Sequence, residues 1–229
     1  MKITHKHFDS IPTTQQLLIE LINSGEDTNL VSTKAQSAGV GRRGNQWDQY
    51  NNSISLSLKL NVSELKEKTI TPLAIGVGVC TFLNKHYSQN QVRLKWPNDI
   101  LNKNNEKVGG IICKLINDIA IIGIGINIGK SSNESQYRTR KGYILDIELS
   151  DDDYKTIPYE LMKTLLNRSL SHDIEEWESM CAHQDAIVKI IDEDKSISGK
   201  FIGIGKYGEA LLLRGENIQK VFNGSLILH

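Results

Sequence analysis

KWPNDILNKNNEKVGGIICKLINDIAIIGIGIN, residues 95–127, carries the pattern that decides the fold. Pro97 followed by Asn98 and Asp99 marks a turn, because proline fixes its own φ and has no N–H to continue a ladder. KVGGIICKLI and IAIIGIGINI are rich in β-branched residues and are parted by the turn pair Asn117-Asp118. With VRLKW in front, the stretch reads as a meander of strands joined by short connections.

The flanks extend this reading. NNSISLSLKL alternates Ile54, Leu56, Leu58 and Leu60 with polar residues, the period of a strand with one buried face. Thr13 and Thr14 precede QQLLIELINSG, where Leu17, Leu18, Leu21 and Ile22 recur at helical spacing before Gly25, so a capped amphipathic helix is predicted. Pro72 opens PLAIGVGVCTFLNKHY, apolar enough for a mostly buried helix, with Gly76 and Gly78 allowing close packing. Residues 129–142 are polar and read as a surface loop. Helices are expected around 159–170 and 174–180, and short strands with turn residues about every ten positions then suggest a small β-barrel. The expected class is α+β, a largely antiparallel mixed sheet flanked by helices plus a C-terminal β-barrel, with a boundary near His183 separating 1–183 from 184–229.

Composition narrows the function. The 229 residues hold 27 Lys plus Arg and 27 Asp plus Glu, a formal charge of zero, so no global field draws the chain onto nucleic acid or an anionic membrane. No apolar run reaches membrane-spanning length and MKITHKHFDS lacks the apolar stretch of a signal peptide, so a cytoplasmic location is expected. Cys80, Cys113 and Cys181 form no CxxC and read as reduced, the first two as small core hydrophobes. His5 and His7 alternate on one strand face, but no further ligand stands at a zinc-like spacing, and a solvated strand is expected.

GVGRRGNQW, residues 39–47, contains G-x-G-x-x-G. Dinucleotide binding would need a helix directly after these glycines, because its N-terminus holds the pyrophosphate. Residues 45–52 show no helical period and a strand follows, and no Lys-Ser or Lys-Thr pair makes a Walker loop. A flexible backbone with exposed amide donors and two guanidinium groups remains, which is either an anion clamp or a solvated glycine turn.

KWPNDI, KVGGI and GIGIN, in this order and spacing behind GRRGNQW, resemble the biotin protein ligases over nearly the whole chain. The resemblance implies a fold related to class II aminoacyl-tRNA synthetase cores, and an ATP-dependent reaction with Mg²⁺. In it biotin and ATP form biotinyl-AMP, and a lysine of a biotin carboxyl carrier domain then accepts the biotinyl group. Arg42 matches the family arginine at the α-phosphate and carboxylate, Lys107 the lysine at the adenylate linkage, and Asp99 a group that orients the incoming amine or accepts its proton. Thr13, Thr14 and Gln15 match the ureido-binding segment, with helix capping a compatible role, and Gln36 a polar neighbour of the bicycle. Gly39, Val40 and Gly41 match the backbone around the biotin carboxylate, and Gly109 and Gly110 allow close ligand approach. Arg43, Trp47, Lys95 and Asn127 match the nucleotide side together with Arg42.

Two departures stand out. Val40 replaces an arginine common in relatives, and residues 129–142 lack the tryptophan that covers adenine in some of them. Matched positions begin at Thr13, which leaves no room for the helix-turn-helix of the repressor members, so no specific DNA binding is expected. Exposed sheet edges leave a homodimer open. The rivals are a lipoate ligase or octanoyltransferase of the same fold, to which Cys113 could lend a nucleophile, and a non-catalytic biotin or nucleotide sensor.

Overall fold

The structure, a computed structural model, describes residues 2–47, 51–88, 91–130, 142–168 and 173–228. Seven strands form the larger sheet: β1 (His5–Ile11), β2 (Leu30–Gln36), β3 (Ser53–Asn61), β4 (Arg93–Lys95), β5 (Asp99–Leu101), β6 (Lys107–Ile116) and β7 (Ile119–Asn127). They lie in the order β1-β2-β3-β7-β6-β5-β4, and only β1 and β2 run parallel. The meander predicted from residues 95–127 is therefore the β4–β7 half of this sheet. The outer edge of β4 is taken by the chain at 180–182, through Leu94 N to Met180 O and Ala182 N to Leu94 O, both 2.8 Å.

Helix α1 (Thr14–Asn23) is capped as the sequence implied, Thr13 accepting from Gln16 N at 3.2 Å. It covers one face of the sheet, with Leu18 against Val31 and Ile121. Helices α2 (Thr71–His86) and α3 (Asp153–Leu166) cover the other, where Ile54, Leu56, Leu58, Ile122, Ile124 and Ile126 join the main core. Gly78 admits Leu165 of α3 so closely that a Cβ would collide with it. The loop expected at 129–142 falls almost wholly outside the described residues.

The alternation of β3 holds, but its polar face does not meet water: Ser53, Ser55 and Ser57 are all buried. The histidine expectation also changes. Parallel pairing sets His7 opposite Ser32, and His5 Nε2 and His7 Nδ1 both meet Ser32 Oγ at 2.8 Å, so the pair is half-buried rather than solvated. Among the described residues no cluster of three or more His, Cys, Asp or Glu could hold a metal ion.

After α4 (Asp173–Ser179) come β8 (Ile187–Asp192), β9 (Lys195–Ile204), β10 (Ala210–Arg214), β11 (Asn217–Val221) and β12 (Ser225–Leu228). The expected barrel is instead an open five-stranded sheet, ordered β11-β10-β9-β8-β12, whose end strands do not pair. Its inner face is closed by the preceding segment rather than by its own strands. Trp177 lies 6.3 Å from Phe201 between ring centroids, and His183 lies 4.4 Å from it. Val188, Ile190, Phe201 and Leu212 belong to the same apolar core as the larger sheet. No helix among the described residues is long and apolar enough to cross a membrane.

Burial, with Lys95 nearby, lowers the His183 imidazole from 6.5 to about 4. The folded state thus resists a proton that the unfolded chain accepts below 6.5. Stability is expected to be complete above that pH and to fall as pH drops from 6.5 towards 4. Urea unfolding midpoints measured across this window should fall less steeply for His183→Phe, and parallel slopes in the two proteins would remove His183 from the account.

Candidate active site

The two central strands carry different residues on their two faces. In β3 and β7, Ile and Leu point to the core, whereas Ser55, Ser57, Gly123 and Gly125 point to the side of α1. Small residues at these positions leave volume above the sheet. The result is a cavity of about 180 Å³, bounded by α1, the 39–47 loop, the KWPND turn and β12.

The 39–47 loop closes one side as a tight hairpin. Trp47 N donates to Gly39 O at 2.9 Å and Gly41 N to Asn45 O at 2.7 Å, around a 3-10 turn at Arg42–Gly44. Neither bond uses the N–H of Val40, whose side chain is exposed. Trp47 sits against the glycine floor: a Cβ on Gly125 would stand 2.5 Å from its indole, and one on Gly110 would stand 3.5 Å away. Only a strand without side chains there admits a ring so close to the backbone.

Charge gathers at one end. Asp99, with its side chain 14% exposed, meets Lys95 Nζ at 2.9 Å and Lys107 Nζ at 2.5 Å. Burial alone would raise the Asp99 carboxyl, but Lys107 and Lys95 outweigh it and hold the group below the usual carboxylate range. Asp99 thus stays ionised and is a weak base. Arg42 Nη1 donates to Asn98 Oδ1 and to Gly224 O, each at 3.2 Å. Burial and the adjacent Arg43 lower the Arg42 guanidinium from its ordinary value, against the opposing pull of Asp99 and Asp192, and it remains a cation. Lys107 Nζ also lies 5.9 Å from the Trp47 ring centroid.

The other end is neutral and wired. Thr14 Oγ1 and Ser57 Oγ are 2.8 Å apart. Gln36 Oε1 accepts from Thr14 N at 2.8 Å and from Thr14 Oγ1 at 3.2 Å, while Gln36 Nε2 donates to Ser55 Oγ at 3.3 Å. Gln15 Nε2 donates to Ile121 O at 3.1 Å. Hydroxyls and amides buried here are oriented by one another, which pre-sets them for a polar ligand group.

Of the residues singled out in the sequence, Thr13, Thr14, Gln15, Gln36, Val40, Gly41, Arg42, Trp47, Lys95, Asp99, Lys107 and Gly110 line this one cavity. Gly39, Arg43, Gly109 and Asn127 do not. Asn127 is buried, accepting from Ser53 Oγ at 3.0 Å and donating to Gly142 O at 3.2 Å. Arg43 has φ 56° and ψ 30°, and its guanidinium pairs with Asp192. Ser57, Asn98 and the β12 residues Ser225 and Leu226 also line the cavity and were missed. The clue for Ser57 was composition: a solvated face usually carries charges, whereas this one repeats serine. Burial raises the Cys113 thiol to about 11 and it lies outside the lining, so Cys113 is not an activated nucleophile of this cavity.

Residues 7–130 match the biotin/lipoate A/B protein ligase family. The bifunctional ligase/repressor BirA of Escherichia coli (strain K12) is 30% identical over 232 residues, covering 95% of this chain and 71% of BirA. The biotin protein ligase from Aquifex aeolicus in complex with biotin and ATP is similar at a TM-score of 0.81 and 27% identity, over 99% of this chain and 98% of that one. The Helicobacter pylori biotin acetyl coenzyme A carboxylase synthetase with bound biotinylated ATP gives 0.70 and 26%, over 96% and 100%. The family match takes in the Gly/Arg loop, the KWPND turn and both floor strands, so cavity and similarity coincide: the chain belongs to the biotin/lipoate A/B protein ligase family.

Proposed function

We propose that this chain is an ATP-dependent biotin protein ligase, which forms biotinyl-AMP and passes the biotinyl group to a lysine of a biotin carboxyl carrier domain. One observation carries the reading: a single cavity has a neutral, hydrogen-bonding end at Thr14, Gln36 and Ser57 and a cationic end at Arg42, Lys95 and Lys107. Biotin has the same polarity, a flat urea ring at one end and a carboxylate at the other. The similar ligases from A. aeolicus and H. pylori hold biotin with ATP and biotinylated ATP.

In the first step a biotin carboxylate oxygen attacks the α-phosphorus of ATP, and the bond to pyrophosphate breaks. Both reactants are anionic, so fixed cations at Arg42 and Lys107 offset their repulsion and stabilise the charge that develops. In the second step the neutral carrier amine attacks the acyl carbon of biotinyl-AMP, the bond to AMP breaks, AMP leaves, and the proton released from the amine passes to water. Asp99, kept ionised between two lysines, acts in this scheme by holding Lys107 and Lys95 in place. Mg²⁺ would enter on the phosphate oxygens of ATP and neutralise part of their charge. Trp47 over Gly110 and Gly125 borders the nucleotide side.

The deciding experiment incubates the protein with Mg-ATP, labelled biotin and a biotin carboxyl carrier domain, with lipoate in parallel. Label on the carrier lysine from biotin is expected. Label from lipoate alone would select the lipoate ligase, and binding without transfer would select a sensor. The hydroxyl end gives a second check, because a dithiolane ring cannot use it. Ser57→Ala is expected to raise KM for biotin about tenfold, the loss of one buried hydrogen bond, with KM for ATP unchanged. An unaltered KM for biotin would mean that the ring does not lie against β3.

A further inference from the structure

The two arginines of the loop point to different fates. Arg42 stays in the cavity and, among the described residues, donates to uncharged acceptors, Asn98 Oδ1 and Gly224 O. Arg43, turned by its left-handed backbone, leaves the lining and meets a full negative charge on the C-terminal sheet, the carboxylate of Asp192. The contact joins residues 149 apart in sequence. Asp192 is the last residue of β8 and pairs with Lys195 across a tight turn, so its position is set by the hairpin rather than by the loop it touches.

We propose that Asp192 is a built-in carboxylate competitor for Arg43, which the phosphates of a nucleotide must displace. The inference rests on the proposed adenylation. With side chains 41% and 43% exposed, the pair is a weak staple. A polyphosphate offers the same guanidinium more charge and more acceptor oxygens, so exchange favours the ligand. The pair therefore adds a modest penalty to nucleotide binding. It also makes the C-terminal sheet a participant, because Arg43 leaves Asp192 when it turns to phosphate. Asp192 acts through Arg43 and is a positioning residue.

In the full-length protein, Asp192→Asn is expected to lower KM for Mg-ATP about two- to fivefold and to leave KM for biotin unmoved. The gain should shrink at high salt, which screens an exposed pair. It should vanish in an Arg43→Gln background, and Asp194→Asn, two residues along the same turn, should not reproduce it. An unchanged or raised KM for Mg-ATP, an equal gain from Asp194→Asn, or a gain that survives Arg43→Gln would overturn the competition. Calorimetry with inorganic triphosphate reads the same exchange without chemistry and should show the same two- to fivefold tightening. If the unmodified chain binds triphosphate with that response but turns over no ATP, the adenylation reading fails and the competition stands.

Discussion

Replacing Arg42 with alanine is expected to slow biotinyl-AMP formation by about two to three orders of magnitude, the usual effect of losing a charged donor at the reacting oxygens. Lys107→Ala should act similarly. Each side chain lines the cavity at its cationic end, where the proposed reaction brings a carboxylate and a phosphate together, and no other guanidinium lines it there among the described residues. The fold should survive Arg42→Ala, because its acceptors, Asn98 Oδ1 and Gly224 O, lie beside the open cavity and can be met by water at a cost of about 1 kcal/mol. Pyrophosphate release measured with biotin and ATP reads the chemistry, and urea unfolding reads the fold. Near-normal turnover in both variants would place the reacting oxygens elsewhere.

Trp96→Ala should be the most destabilising of the substitutions considered, at about 3–5 kcal/mol. Trp96 is 1% exposed and belongs to the core, and its Nε1 donates to Gly208 O at 2.9 Å. The indole thereby joins the KWPND turn to the C-terminal sheet as well as filling space. Domains commonly hold only about 5–15 kcal/mol in total, so the variant should be partly unfolded at growth temperatures. Trp96→Phe keeps much of the packing and loses the hydrogen bond, for which about 1 kcal/mol is expected. A midpoint for Trp96→Ala within 1 kcal/mol of the unmodified protein would show that the indole is not a structural member.

Local chemistry accounts for what could be read early. Helix α1 was legible because caps and a 3.6-residue period are properties of neighbouring residues. The β4–β7 meander was legible for the same reason, its turns being written as Pro97-Asn98-Asp99 and Asn117-Asp118. The barrel misled because turn rhythm specifies strands and their connections, but not whether the last strand meets the first. Here Trp177 and His183 pack against Phe201 of β9 and against each other, and the end strands of the sheet do not pair.

The sequence by itself determined the strands, the capped helix, and the small residues at alternate positions of β3 and β7. Its motifs, through the family resemblance they carry, also named twelve of the residues that line the cavity. Only the tertiary structure decided that the serine face of β3 is buried beneath α1, with Ser57 on the floor of a cavity, rather than a wetted surface, since Thr14 and Ser57 lie 43 residues apart and meet only when α1 crosses the sheet. It likewise decided which arginine of GVGRRGNQW faces the cavity and which faces Asp192. Periodicity reports which residues share a face, and the element that later packs over that face decides what it touches.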